Sequence, residues 1–164
     1  MPVRPTTFGS LDNYVKGRVE VVEGDPKHYA FSNVFEVASR SQPYEKVAVG
    51  KNFEYVLEAI RADGTSGWRA ASNDEFALVM DGEVEITLCQ LNEPHGDGKT
   101  GSVAIEGEPV GRRMGLIRAS RGHMTLLPKG SAYQFNAPRP SVILLQTIEG
   151  SDTIFRWSEI CQVR

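Results

Sequence analysis

The chain has 164 residues, 40% hydrophobic and 24% charged, with a formal net charge of −3. That length suits one domain with a core of useful size. The acidic balance and the absence of a basic cluster exclude a cationic nucleic-acid interface, and no apolar run approaches the about 20 residues that a membrane span needs.

The first stretch, Met1 to Gly17, is polar and has no apolar h-region, so no signal peptide is expected. Residues 1–45 read as an N-terminal arm: a strand, a turn, a short helix and an extended link. The helix is expected from "HYAFSNVFEVAS", where Phe31, Val34, Phe35 and Ala38 fall at helical spacing. Such an arm cannot bury its apolar side alone. It must fold over the rest of the chain or over a second subunit, with Tyr29, Phe31, Val34 and Phe35 as core or as interface anchors. Residues 46–150 follow as the body. "KNFEYVLEAIRADG" predicts a strand with Phe53, Tyr55, Leu57 and Ala59 on one face. "GTSGWRAAS" is small and flexible on both sides of Trp68. "EFALVMDGEVEITLCQL" is a hairpin: Val84, Ile86 and Leu88 alternate with Glu85 and Thr87, and Asp81-Gly82 supplies the turn. "NEPHGDGKTGSVAIEGEPVGRR" reads as a long surface excursion, and its GDGKTG lacks the frame of a phosphate loop. "RMGLIRASRGHMTLLPKGSAYQFNAPRPSVILLQTI" predicts four short strands divided by Ser-Arg-Gly, Pro-Lys-Gly and Pro-Arg-Pro. Residues 151–164 carry a short helix, with Ile154, Trp157, Ile160 and Cys161 on one side and Trp157 as a docking anchor. Evenly spaced short strands with turn signals give an all-β sandwich or small barrel. Nothing supports a disulfide between the distant Cys89 and Cys161, and two reduced thiols in a cytoplasmic protein are expected.

Two stretches resemble the motifs of the cupin superfamily. The first motif is G-x5-H-x-H-x3or4-E-x6-G; here Glu75 is followed by six residues and then Gly82. The second is G-x5-P-x-G-x2-H-x3-N; Gly122, Pro128 and Gly130 hold their places, and Asn136 falls one position early. The resemblance implies a cupin-type jelly-roll β-barrel, here with an N-terminal arm and one or two short helices. The ligand positions differ. With the longer spacing the two motif histidines fall on Trp68 and Ala70, with the shorter on Arg69 and Ala71, and the second-motif histidine falls on Tyr133. Only Glu75 remains. Alanine offers no lone pair and the indole nitrogen only donates, so this set does not replace imidazoles around iron, manganese or zinc. His28, His95 and His123 are expected in structural roles. Glu75 is expected to accept from Tyr133 or to pair with Arg69, because an unpartnered carboxylate inside a barrel is costly.

A narrower resemblance covers most of the chain, about His28 to Cys161. "GDPKHYAFSNVFEVASRSQPYEKVAVGKNFEYVLEA", "DEFALVMDGEVEI", "GHMTLLPKGSAYQF" and "LLQTI" are similar to the small subunit of two-subunit hydroquinone 1,2-dioxygenase. The resemblance implies a heterotetramer of small and large cupin subunits. Fe(II) is held by the large subunit, and this chain is a cofactor-free partner in hydroquinone and 4-nitrophenol degradation. Trp68 then either forms part of the wall of the partner's active site or fills this chain's own cavity. Two other readings stay open: a stand-alone cupin dioxygenase with unusual ligands, using Glu75, Tyr133 and His123, and a metal-free cupin that binds a small molecule.

Overall fold

The computed structural model describes residues 8–15, 23–24, 32–96 and 98–160. Tyr29, Phe31, His28 and Cys161 lie outside the described residues.

Helix α1 (Val34–Arg40) is shorter than the sequence pattern predicts. Asn33 caps it, its side chain accepting from the backbone N–H of Phe35 and Glu36. At its far end the Ser41 hydroxyl donates to the Val37 carbonyl at 2.7 Å. Val37 packs against Val47, Val49 and Ala59 of the strands beneath, with Val34 partly buried beside them. Among the described residues nine strands follow: β1 (Val47–Asn52), β2 (Tyr55–Thr65), β3 (Trp68–Ala71), β4 (Glu75–Asp81), β5 (Glu83–Leu91), β6 (Ser102–Ile105), β7 (Gly111–Ser120), β8 (Met124–Leu127) and β9 (Ser131–Ile148). A four-residue helix, α2 (Trp157–Ile160), follows them.

Strand β9 organises the barrel. Its first part, from Ser131, pairs with β5 and β3; its second part, from Ser141, pairs with β2 and β4. One layer therefore runs β1–β2–β9–β4–β8, and the other β6–β3–β9–β5–β7. Pro138-Arg139-Pro140, expected to separate two strands, instead sits within one strand. Opposite β2 the register passes from Ser141 to Ala137 between Ala62 and Gly64, so these three exposed residues bulge out of the ladder. Proline has no N–H to give, and a bulge is where a strand tolerates it.

Other expectations shift for similar reasons. The 92–113 stretch is not all loop, because β6 pairs with β3 within it and β7 begins at Gly111. Trp68 belongs to a strand after all, opposite Ile105. Tyr55, Leu57 and Ala59 do share a face, but it is the outer one; Val56, Glu58, Ile60 and Ala62 point inward. The Asp81-Gly82 hairpin stands as expected: Gly82 has φ +78° and packs against Ser141. Val84, Ile86 and Leu88 face the core between the layers, together with Leu127, Phe135 and Ile143.

Candidate functional site

Glu75 opens β4 and is fully buried, opposite Leu127. Its position follows from alternation: Glu75, Ala77 and Val79 are the inward residues of that strand. Its best-defined donor is a third residue, although Tyr133 also lies close enough to interact with it. The Thr147 hydroxyl of β9 donates to Glu75 Oε1 at 2.6 Å. Arg69 points inward beside Tyr133 but spends its guanidinium on Asp152 Oδ2, at 2.8 Å, and on the Ser102 carbonyl, at 3.1 Å. A carboxylate near the barrel rim outcompetes a buried one for an arginine that is itself partly exposed. Tyr133 is fully buried, its ring 5.2 Å from that of Phe135. Its hydroxyl and Glu75 Oε2 complete no hydrogen bond of good geometry with protein atoms, yet they are close enough to perturb each other. Burial pushes Glu75 up to about 7, opposed by the Thr147 hydrogen bond and by the charge of Lys46. Burial and the charge of Glu75 drive the Tyr133 hydroxyl well above its ordinary value.

Lys46 is the residue that sequence reasoning missed. It immediately precedes β1, and its side chain is almost fully buried. Its ammonium lies 3.0 Å from Glu58 Oε2 and donates to the Ser102 hydroxyl. Thr153 donates to the other Glu58 oxygen at 2.7 Å. The interior thus holds a chain of polar groups, Thr153–Glu58–Lys46–Ser102, with Tyr133, Glu75 and Thr147 beyond. A signal existed in Glu58, a charge at an inward position between Val56 and Ile60. Thr147 and Ser102 gave none.

The remaining positions separate. Ala71 faces the core, while Trp68 and Ala70 point to the opposite side of β3. Trp68 is 9% exposed and packs outside the barrel on Cys89 and Ala132, so it does not fill the space where a cupin metal would sit. Its buried indole N–H has no acceptor among the described residues. His123 points outward, bonded to Ser120, and does not join Glu75; His95 bonds the Ala104 carbonyl at the surface. Val34 packs within this chain, and Phe35 lies against Gly9.

A cupin iron asks for imidazoles and a carboxylate around one point. Among the described residues no group of three or more His, Cys, Asp and Glu converges. The carboxylate that remains is bonded to a hydroxyl and shares the interior with a buried ammonium. This donor set does not fit iron.

The two-layered barrel, Glu75 and the glycine–proline framework around Gly82, Gly122, Pro128 and Gly130 define the class: this is a cupin with altered ligand positions. Comparison with solved structures narrows it. Hydroquinone 1,2-dioxygenase PnpCD, in complex with Cd2+ and 4-hydroxybenzonitrile, matches at 52% identity over 97% of this chain and 97% of that chain, with a TM-score of 0.89. Hydroquinone 1,2-dioxygenase from Sphingomonas sp. TTNP3, with 4-hydroxybenzoate bound, matches at 52% identity over 99% of each, with a TM-score of 0.91. The chain belongs to the hydroquinone 1,2-dioxygenase family. A second kind of match shows the fold alone: a chain of PnpCD in complex with Fe3+ aligns at TM-score 0.61 and 11% identity, over 86% of this chain and 39% of that one. That chain is therefore more than twice as long, and it contains a barrel of this kind. No protein-family model and no curated protein matches. Among the described residues, no helix is long and apolar enough to cross a membrane.

Proposed function

We propose that this chain is the small, non-catalytic subunit of a hydroquinone 1,2-dioxygenase that cleaves the aromatic ring with O2. In this reading a larger cupin subunit carries the Fe(II), the two assemble as a heterotetramer in the cytoplasm, and this chain braces and completes its partner's active site. The observation that carries the proposal is the barrel interior. Where a cupin presents imidazoles, this chain has Ala71, Tyr133 and an inward Arg69 committed to Asp152, and the surviving Glu75 is bonded to Thr147. Support comes from the relatives at 52% identity and from the longer chain of the same named enzyme.

Trp68 has a place in this reading. Its indole N–H is buried without an acceptor on the outer side of β3. A flat wall of this kind suits a phenolic ring at a neighbouring site. Val34 and Phe35, with Tyr29 and Phe31 of the arm, are proposed contributors to the contact between subunits.

The test is reconstitution. The chain is co-expressed with the longer chain of the Sphingomonas sp. TTNP3 enzyme, 40% of which aligns with this one, and ring cleavage of hydroquinone is followed for each chain alone and for the pair. Activity confined to the pair is expected. Full turnover by the longer chain alone would refute the subunit reading. Turnover by this chain alone, with stoichiometric metal, would select a stand-alone enzyme with unusual ligands. A small molecule bound in its barrel with no partner would select a binding module.

A further inference from the structure

After β9 the chain turns back along the barrel. Residues 149–156 form a strap between the two layers, bonded to β1 on one side and to β3 and the start of β6 on the other. The Glu149 N–H donates to the Glu54 carbonyl at 2.7 Å, its carbonyl accepts from the Thr100 hydroxyl at 2.6 Å, and its carboxylate pairs with Lys51. The Ile154 N–H donates to the Lys46 carbonyl at 2.8 Å, and its carbonyl accepts from the Ala48 N–H at 2.9 Å. Between these anchors the strap presents Asp152 to Arg69. Arg69 Nη1 donates to Asp152 Oδ2 at 2.8 Å and to the Ser102 carbonyl at 3.1 Å, which holds the guanidinium in place. The Arg69 hydrogen bond keeps the Asp152 carboxyl below its ordinary range, and the charge of Lys46 adds to this. Three features set this pair apart from an ordinary ion pair at the surface. Arg69 stands at a ligand position of the first cupin motif and points inward beside Tyr133. The carboxylate lies in the field of a second cation, Lys46, whose side chain is almost fully buried. The Tyr133 hydroxyl, itself fully buried, completes no hydrogen bond of good geometry among the described residues. A buried donor left over beside a guanidinium is a second point of attachment for an acceptor.

We infer that the barrel beneath the strap is a binding site for a small carboxylate, held by Arg69 with the Tyr133 hydroxyl as second donor, and that Asp152 is the chain's own carboxylate resident there. The ligand class follows from the donors and from their neighbours. A planar guanidinium fork is matched by a planar carboxylate. Glu58 and Glu75 share the same interior, so an anion of higher charge is disfavoured there. The strap also explains why the site is closed in the resting chain. It tethers Asp152 beside Arg69 at a high effective concentration, and a free carboxylate competes only when Asp152 is removed or the strap lifts.

The experiment uses the full chain, with sodium acetate and sodium propionate as probes. In Asp152→Ala the strap keeps its other tethers, and the melting temperature is expected to fall by about 2–4 °C. Either probe is expected to bind this variant in titration calorimetry and to recover most of that shift, with the unmodified chain binding at least tenfold more weakly. Asp152→Asn keeps the shape of the side chain without its charge, so it reads the site even where the alanine variant disturbs the strap; its affinity is expected between the two. Added to Asp152→Ala, Arg69→Gln should abolish binding and Tyr133→Phe should weaken it severalfold. Sodium chloride or sodium sulfate at equal ionic strength acting as well as acetate would reduce the effect to screening or to general anion binding, and overturn the carboxylate site. Binding undiminished by Arg69→Gln or by Tyr133→Phe would place it elsewhere on the chain and overturn it too. No binding to either Asp152 variant would leave the Arg69–Asp152 pair as a latch for the strap and nothing more.

Discussion

At the scale of single residues, the interior of the barrel sets two measurable expectations. Glu75 is raised from the ordinary 4.5 to about 7 in the folded chain, chiefly by burial. Between those values the folded state binds a proton that the unfolded state has already released. Stability therefore stands at its full value below about pH 4.5, falls as pH rises toward 7, and levels off above it. The span corresponds to roughly 3 kcal/mol. Glu75→Gln imitates the protonated form, so it should match the parent near pH 5 and exceed it by that order near pH 8. Denaturant midpoints across the range check this, and equal pH slopes for the two proteins would count against it. The Lys46–Glu58 pair sets the second. Lys46→Met leaves a buried carboxylate without its cation and should cost about 3–5 kcal/mol. Adding Glu58→Leu should recover most of the loss, because two apolar residues replace two charges. A double variant as unstable as the single one would show that the pair does more than neutralise itself. Glu75 was legible in the sequence from motif spacing alone. Its partner was not, because Thr147 lies 72 residues away and a lone threonine in a strand carries no signal. Lys46 was hidden for another reason: a lysine beside a strand is ordinarily solvated, and only the fold shows its ammonium between two layers.

Among the elements, the hairpin and strand β3 are the two that the sequence read with opposite success. Asp81-Gly82 was legible because a tight turn has few chemical solutions. A Cβ at Gly82 would lie 2.1 Å from Ser141 Oγ, at φ +78°. Gly82→Ala should therefore cost at least the roughly 1–2 kcal/mol of a left-handed backbone, with further loss from the clash. An unchanged melting temperature would show that the turn relaxes freely. Strand β3 was not legible, since four residues flanked by glycine and serine have too short a period to register. Its tryptophan therefore reads, from the sequence, as one large residue in a small and flexible stretch. On the strand, Trp68 is held against Cys89 and Ala132, with its N–H facing no acceptor. If it forms the wall of a neighbouring cavity, Trp68→Phe should keep the assembly and lower turnover or substrate affinity severalfold. Lost assembly with unchanged turnover per assembled complex would make it a packing residue only. The loop reading of residues 92–113 failed in the same way: β6 is four residues long and gains its stability from pairing with β3, which local sequence does not encode.

For the whole molecule, the proposed division of labour predicts where metal goes. The chain purified alone should hold well under one equivalent of iron, manganese or zinc by elemental analysis, and the reconstituted pair should hold iron in proportion to the longer chain. Stoichiometric metal in the isolated chain, lost in Glu75→Ala, would reverse that assignment. The general architecture was legible from even strand spacing and the glycine–proline framework, which are local. The layering was not, because it depends on one long strand that the prolines disguised as two. That strand also dictates when the molecule can form. β9 supplies the central pairing of both layers, and it is synthesised after the eight strands it joins to or supports. Until residues 131–148 have left the ribosome, β2, β4 and β5 lack the neighbour they share, and their apolar faces stay open to other chains. Folding is thus deferred until β9 has been made and is governed by contacts distant in sequence, the slow regime for β proteins. In that interval chaperone capacity and temperature, more than the final stability of the barrel, set how much of this chain reaches its folded state.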